Sequence, residues 1–200
     1  MVGDGDFSFT ASLRCLIDEH PGYHFVTSVL QSEREAITTY HPDNSVVVET
    51  IRWMEQSSRI HHYFSVDATN LNSTAKRCSI DDEPFDRVVF CYPFLASTCG
   101  LDDRKGLILD FFQAVRVWTG FQLDRGQVVL GLKSTSEDED YQLDYWKVDD
   151  ITNRSGCHRS SIVPSWRATH VNGKPLHKSE DIFDRGSVLV KFYAFQIQSR

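Results

Sequence analysis

Val2, Gly3, Asp4, Gly5, Asp6, Phe7, Ser8 and Phe9 form a glycine-flanked turn that runs straight into an amphipathic helical pattern. Two glycines one residue apart let a backbone turn tightly after a strand and leave no side chain between the main chain and a ligand lying across it. The third glycine of the dinucleotide-binding pattern is absent, with Ser8 in its place. Dinucleotide loops meet a pyrophosphate with bare amides, and Asp4 and Asp6 in the turn would repel it. A cofactor that is cationic near the loop and carries no phosphate, such as S-adenosylmethionine, fits better. The other reading of so short a pattern is an ordinary strand-to-helix turn.

With 200 residues, 40% of them hydrophobic, the sequence suits one domain spanning residues 1–200. It contains no apolar run of about 18 residues and no basic, then apolar, start, so a soluble intracellular protein is expected. Cys15, Cys78, Cys91, Cys99 and Cys157 form no C-x-x-C pair and are odd in number. Neither a metal site nor a disulfide framework is expected. A net charge of −7 argues against a broad, sequence-independent grip on nucleic acid. One stretch runs the other way: from Arg154 to Lys178 there is no acidic residue, and Arg154, Arg159, Arg167, Lys174 and Lys178 stand among three histidines.

Strand-like and helix-like segments alternate without internal repeats, which predicts an α/β fold of the Rossmann-like, doubly wound kind with a mostly parallel sheet. Phe9, Leu13, Leu16 and Ile17 recur at helical spacing, and His20-Pro21-Gly22 ends that helix. Strands are expected at 23–30, 60–66, 85–92, 127–133, 157–163 and 187–198, the last as an edge or antiparallel addition. Helices are expected from Ser32 to Tyr40, from Asn44 to Ser57 with Val47, Ile51 and Met54 on one face, around Leu107 to Val115, and from Tyr141 to Asn153. The strand leading into the glycine turn is normally central, yet only Met1 and Val2 precede Gly3. That first central strand reads as truncated, and the expectation is a chain that begins late in a longer protein.

Taken in order, VGDGDFSF, VDATNL and FDRVVFCYPF resemble the Rossmann-like methyltransferases that modify ring nitrogen 3 of a uridine in large-subunit ribosomal RNA. That family opens with G-[DE]-G-D-F-S-F-S, and Gly3 through Phe9 reproduce it. The resemblance continues through Ser32-Glu33-Arg34-Glu35, Val66-Asp67-Ala68-Thr69, Phe85-Asp86-Arg87, Leu132-Lys133 and Trp146 to Pro164, and fades from Trp166 to Asp184. It implies S-adenosyl-L-methionine as cofactor, held by Gly3, Asp4, Gly5 and Asp6 on its methionine side. Asp67, with Ala68, would meet the adenine; Asp67 can equally cap the turn after a strand. Where the second strand normally offers an acid to the ribose this chain has Gln31, with Glu33 two positions on.

The resemblance places base entry at Cys91, Tyr92, Pro93 and Phe94, where relatives carry an asparagine-aromatic-proline-histidine run. Loss of the imide proton is helped by a positioned acceptor, and Cys91 and Phe94 offer none. Tyr92 and Phe94 can stack on a flipped base or simply pack the sheet edge. Lys133, Arg154, Arg159, Arg167, Lys174 and Lys178 are candidates for contacts to RNA, the alternative for the basic stretch being a solvated loop. The expected partner is large-subunit rRNA or a pre-ribosome, without membrane or metal, in the nucleolus, nucleus or cytoplasm. Two functions remain open: methyl transfer to the uridine, and a non-catalytic relative serving as an RNA-binding or ribosome-assembly module.

Overall fold

A computed structural model describes residues 1–5, 7–19, 21–39, 45–80, 84–91, 101–122, 125–134, 144–155, 157–169 and 187–197. The chain groups into two compact units, Met1–Val66 with Arg167–Val188, and Asp67–Trp166 with Leu189–Arg200.

In the first unit, β1 (Phe25–Ser28) and β2 (Ile60–Tyr63) pair in parallel, with Phe25 opposite Ile60 and Ser28 opposite Tyr63. Val2 bridges Ser28 in parallel, and the Asp4 N–H donates to the Ser28 carbonyl at 3.2 Å. Ser28 is thereby paired on both sides, and the residues before the glycines form a stub of strand beside β1. The helical pattern that follows is split into α1 (Ser8–Ser12) and α2 (Arg14–Glu19). At the break, the Ser12 hydroxyl donates back to the Phe9 carbonyl at 2.6 Å, and the Leu13 N–H is shared between the Phe9 and Thr10 carbonyls. A side chain competing for the ladder bends a helix in this way.

Next come α3 (Glu33–Thr39) and α4 (Ser45–Glu55), and Val47, Ile51 and Met54 are buried as their spacing predicts. Arg59 ties the start of β2 to α2, donating to the Ile17 carbonyl at 2.8 Å and facing Asp18 at 3.7 Å.

The second unit holds α5 (Leu71–Arg77), β3 (Arg87–Cys91), α6 (Leu101–Val117), β4 (Gln127–Ser134) and α7 (Val148–Ser155), with most of β5 (Cys157–Thr169) and β6 (Ser187–Ile197). The strand order is β3-β4-β6-β5. β3 and β4 are parallel, with Cys91 opposite Gly131, whereas β6 runs antiparallel to β4, with Phe192 opposite Gly131. The core is aromatic: Phe90 meets Phe111 at 4.8 Å and Phe112 meets Phe195 at 5.2 Å, edge to face. Burying a phenylalanine of this kind contributes about 1.5–3 kcal/mol.

Besides the split of the first helix, three elements differ from the sequence expectation. α5 has no counterpart in it, because only Leu71, Thr74 and Ala75 of this helix are buried, too few to show a period. The helix expected from Tyr141 begins at Val148: Lys147 has φ 51°, which interrupts the helical path after a single turn closed by its N–H to the Asp144 carbonyl. Residues 141–143 lie outside the described residues. β5 continues past Pro164 to Thr169. It is the last strand in the order, and an edge strand tolerates a proline that donates no hydrogen bond. Among the described residues no helix is long and apolar enough to cross a membrane.

Candidate cofactor site

Gly3 and Gly5 have φ of 72° and 58°, the left-handed region that side-chain-bearing residues enter only with strain. Phe7 has φ 61°. Its N–H donates to the Asp4 carbonyl at 3.0 Å, closing the turn, and its carbonyl receives the Ala11 N–H at 2.9 Å, opening α1. The Asp4 side chain is 8% exposed and points into this junction rather than across it. Its two carboxylate oxygens accept the N–H groups of Phe9 at 3.2 Å and Thr10 at 3.0 Å, and the Thr10 hydroxyl. The Thr10 and Thr27 hydroxyls are 2.8 Å apart. A hydroxyl has one proton, so with Thr10 donating to Asp4, Thr27 on β1 donates to Thr10.

That network gives Asp4 a structural task beside the one its charge suggested. It caps α1 and fastens the turn to β1. What the turn leaves for a ligand is the glycine backbone. Asp6 lies outside the described residues.

Gln31 and Glu33 stand just beyond the carboxyl end of β1. The Gln31 carbonyl accepts the Ser65 N–H at 2.9 Å and the Val29 carbonyl accepts the Val66 N–H at 3.0 Å, extending the pairing of the two strand ends. Glu33 opens α3 and is exposed. Ser32 and Glu35 form a capping box: Glu35 accepts the Ser32 N–H at 2.9 Å and hydroxyl at 2.7 Å. Those hydrogen bonds from Ser32 hold the Glu35 carboxyl below its ordinary value.

In the second unit, Asp67 shapes the turn before α5. Its Oδ1 accepts both the N–H of Thr69 at 2.8 Å and the Thr69 hydroxyl at 2.7 Å. Its backbone N–H meets the Thr74 hydroxyl at 3.2 Å. The turn-capping reading therefore holds, and it engages one carboxylate oxygen only. Oδ2 has no partner among the described residues, and Asp67 is half-exposed while Ala68 is buried. A carboxylate fixed by one oxygen and open at the other suits an amino-group donor.

Cys91 is 2% exposed and sits in a row across three strands with Gly131 and Phe192. A Cβ on Gly131 would lie 2.7 Å from the Phe192 ring and 3.4 Å from the Cys91 sulfur. The thiol is packed beside an aromatic ring, as a core cysteine is. Tyr92, Pro93 and Phe94 lie outside the described residues, as do Lys174 and Lys178. Lys133 is on β4, Arg159 and Arg167 are on β5, and Arg154 is exposed in the last turn of α7. The part of the basic stretch from Cys157 to Thr169 is thus strand rather than loop. Among the described residues no cluster of His, Cys, Asp and Glu is arranged to hold a metal.

Sequence reasoning missed Thr10, Thr27 and Thr69, whose hydroxyls organise both carboxylates. Thr10 and Thr69 are signalled by standing 6 and 2 positions after an aspartate, whereas Thr27, 23 positions from Asp4, carries no such signal.

Residues 1–166 match the family described as rRNA (uridine-N3-)-methyltransferase BTM5-like. The chain belongs to that family. A stretch of 114 residues, 57% of this chain, is 30% identical to the ferredoxin-fold anticodon-binding domain-containing protein 1 homolog of Mus musculus, of which it covers 17%. Among solved structures, the chain is similar to LepI in complex with SAM, with a TM-score of 0.51 and 10% identity over 98% of this chain and 42% of that one. OxaC in complex with sinefungin and meleagrin gives 0.52 and 9%, over 98% and 42%. An O-methyltransferase from neocarzinostatin biosynthesis, in complex with S-adenosyl-L-homocysteine, gives 0.50 and 9%, over 98% and 48%. At such identities the likeness establishes the fold, that of the class I methyltransferases. This chain spans less than half the length of each of these solved chains and about a sixth of the mouse relative.

Proposed function

We propose that the chain is the methyl-transferring region of an rRNA methyltransferase that uses S-adenosyl-L-methionine and acts on ring nitrogen 3 of a uridine in large-subunit rRNA. The observation that carries this reading is the glycine turn: in a member of this family, Gly3 and Gly5 present bare left-handed backbone while Asp4 is spent on holding it in place. When bound, the cofactor supplies a methyl group on a positively charged sulfur. Gly3 and Gly5 would hold its methionine part, Gln31 and Glu33 its ribose, and the free oxygen of Asp67, with Ala68, its adenine. Lys133, Arg154, Arg159, Arg167, Lys174 and Lys178 would meet RNA phosphates. Tyr92 and Phe94 would stack on the flipped uracil and exclude water from it. The partner is then large-subunit rRNA or a pre-ribosome, and the protein works in the nucleolus or cytoplasm.

The burial of Cys91 favours a second reading, because a thiol packed in the sheet offers a poor acceptor to the imide proton. On that reading the chain keeps the fold and binds RNA without transferring a methyl group. Nucleoside mass spectrometry of rRNA from cells lacking the gene separates the two. Transfer predicts the loss of one 3-methyluridine, and an unchanged nucleoside profile rejects it in favour of the binding module.

A further inference from the structure

The glycine turn ends on a residue with a left-handed backbone and a large side chain. Phe7 adopts φ 61°, a conformation that opposes every side chain larger than hydrogen. Something must hold it there. Its ring is fully buried and meets two others edge to face: His62 on β2 at 6.0 Å and 83°, and Phe64 at 5.6 Å and 85°. His62 and Phe64 themselves meet at 5.7 Å and 87°. Three mutually perpendicular rings form a closed cluster, in which no ring tilts without losing contact with the other two.

The geometry points to His62 as a positioning residue for the methyl donor: its neutral imidazole completes the ring cluster that locks Phe7, and through Phe7 the glycine turn. This rests on the cofactor reading above and assigns the turn a support from a different strand. The charges around the imidazole bear on its neutrality. Burial pushes the His62 pKa below 6.5; Glu55 from α4 and Glu33 from α3 pull it back, and His61 beside it lowers it further. β1, which flanks β2, carries no titratable side chain, and the Asp4 carboxylate extends toward Thr27, the neighbour of His62 on β1. Because the folded value lies below the unfolded one, the cluster is at full strength above pH 6.5. It weakens as the pH falls toward the folded value, where the half-buried ring must take up a charge.

The test compares wild-type protein with His62→Phe and His62→Ala at pH 7.5 and 5.5. Calorimetric titration with S-adenosylhomocysteine gives the affinity, and hydrogen exchange of residues 3–12, corrected for intrinsic rates, gives the order of the turn. Wild-type affinity should be on the order of fivefold weaker at the lower pH, with faster exchange in the turn. His62→Phe keeps a ring and loses the titration, so both pH effects should vanish. His62→Ala should bind weakly and exchange fast at both pH values. A wild-type pH dependence of exchange persisting in His62→Phe, or a fully protected turn in His62→Ala, overturns the assignment. If no variant binds S-adenosylhomocysteine at either pH, the cofactor reading fails, and the exchange data still decide the role of His62.

Discussion

Asp4 holds the start of α1 with both carboxylate oxygens, and at 8% exposure it does so away from water. Hydrogen bonds to a buried charge contribute about 1.5–3 kcal/mol, and loss of a helix cap costs about 0.5–2 kcal/mol. Asp4→Ala should therefore destabilise the protein by about 2–3 kcal/mol in chemical denaturation. Asp4→Asn should lose less, since its amide oxygen still accepts one of the two backbone donors. An Asp4→Ala protein as stable as wild type but unable to bind S-adenosylhomocysteine would return the carboxylate to the cofactor. The glycines were legible in the sequence because absence of a side chain has one geometric meaning at such a turn. The task of Asp4 was not, because its partners stand 5 and 6 positions away, and the network reaches through Thr10 to Thr27 on β1, 23 positions from Asp4. Asp67 was legible in both its readings, and it performs the capping one with a single oxygen.

At the scale of elements, Ser32 followed by Glu33 and Glu35 marks the start of α3 in the sequence as an N-cap with acids in the first turn, and the structure closes it as a capping box between Ser32 and Glu35. The Glu35 pKa is lowered by its hydrogen bonds from Ser32. The box thus contributes stability above pH 4.5 that is lost as the pH falls through the folded value. Far-ultraviolet circular dichroism on acidification should show less helix loss below that pH in Glu35→Gln than in wild type, relative to their neutral baselines. On β4, the Phe192 ring lies over Gly131, so a methyl group there meets ring carbon at 2.7 Å. Gly131→Ala should cost about 1–3 kcal/mol by overpacking, read as a lower thermal midpoint. Pairing Gly131→Ala with Phe192→Leu should recover part of it. Strand and helix identities followed from periodicity where a face was buried, as in α4. The extension of β5 past Pro164 did not, because being an edge strand is a property of the assembled sheet and of no local stretch.

For the molecule as a whole, alternation of strand and helix indicated the parallel pairs β1-β2 and β3-β4, and the aromatic, β-branched run at 187–198 indicated an edge or antiparallel strand; β6 is antiparallel to β4 and lies between β4 and β5, not at the edge. The grouping into two units was not legible: the chain passes between them at Val66, at Trp166 and at Val188, and the Pro164-Ser165 and Gly186-Ser187 pairs beside the last two points are no longer than the turns found elsewhere along the chain. The chain belongs to the rRNA (uridine-N3-)-methyltransferase family, and the proposed function makes one central claim, that this protein places a methyl group on uridine nitrogen 3. The most direct measurement incubates the purified protein with isotopically labelled S-adenosylmethionine and unmodified large-subunit rRNA, then digests the RNA to nucleosides for mass spectrometry. Label recovered as 3-methyluridine at a single site is the predicted result. Stable binding of both cofactor and RNA with no labelled nucleoside would contradict it.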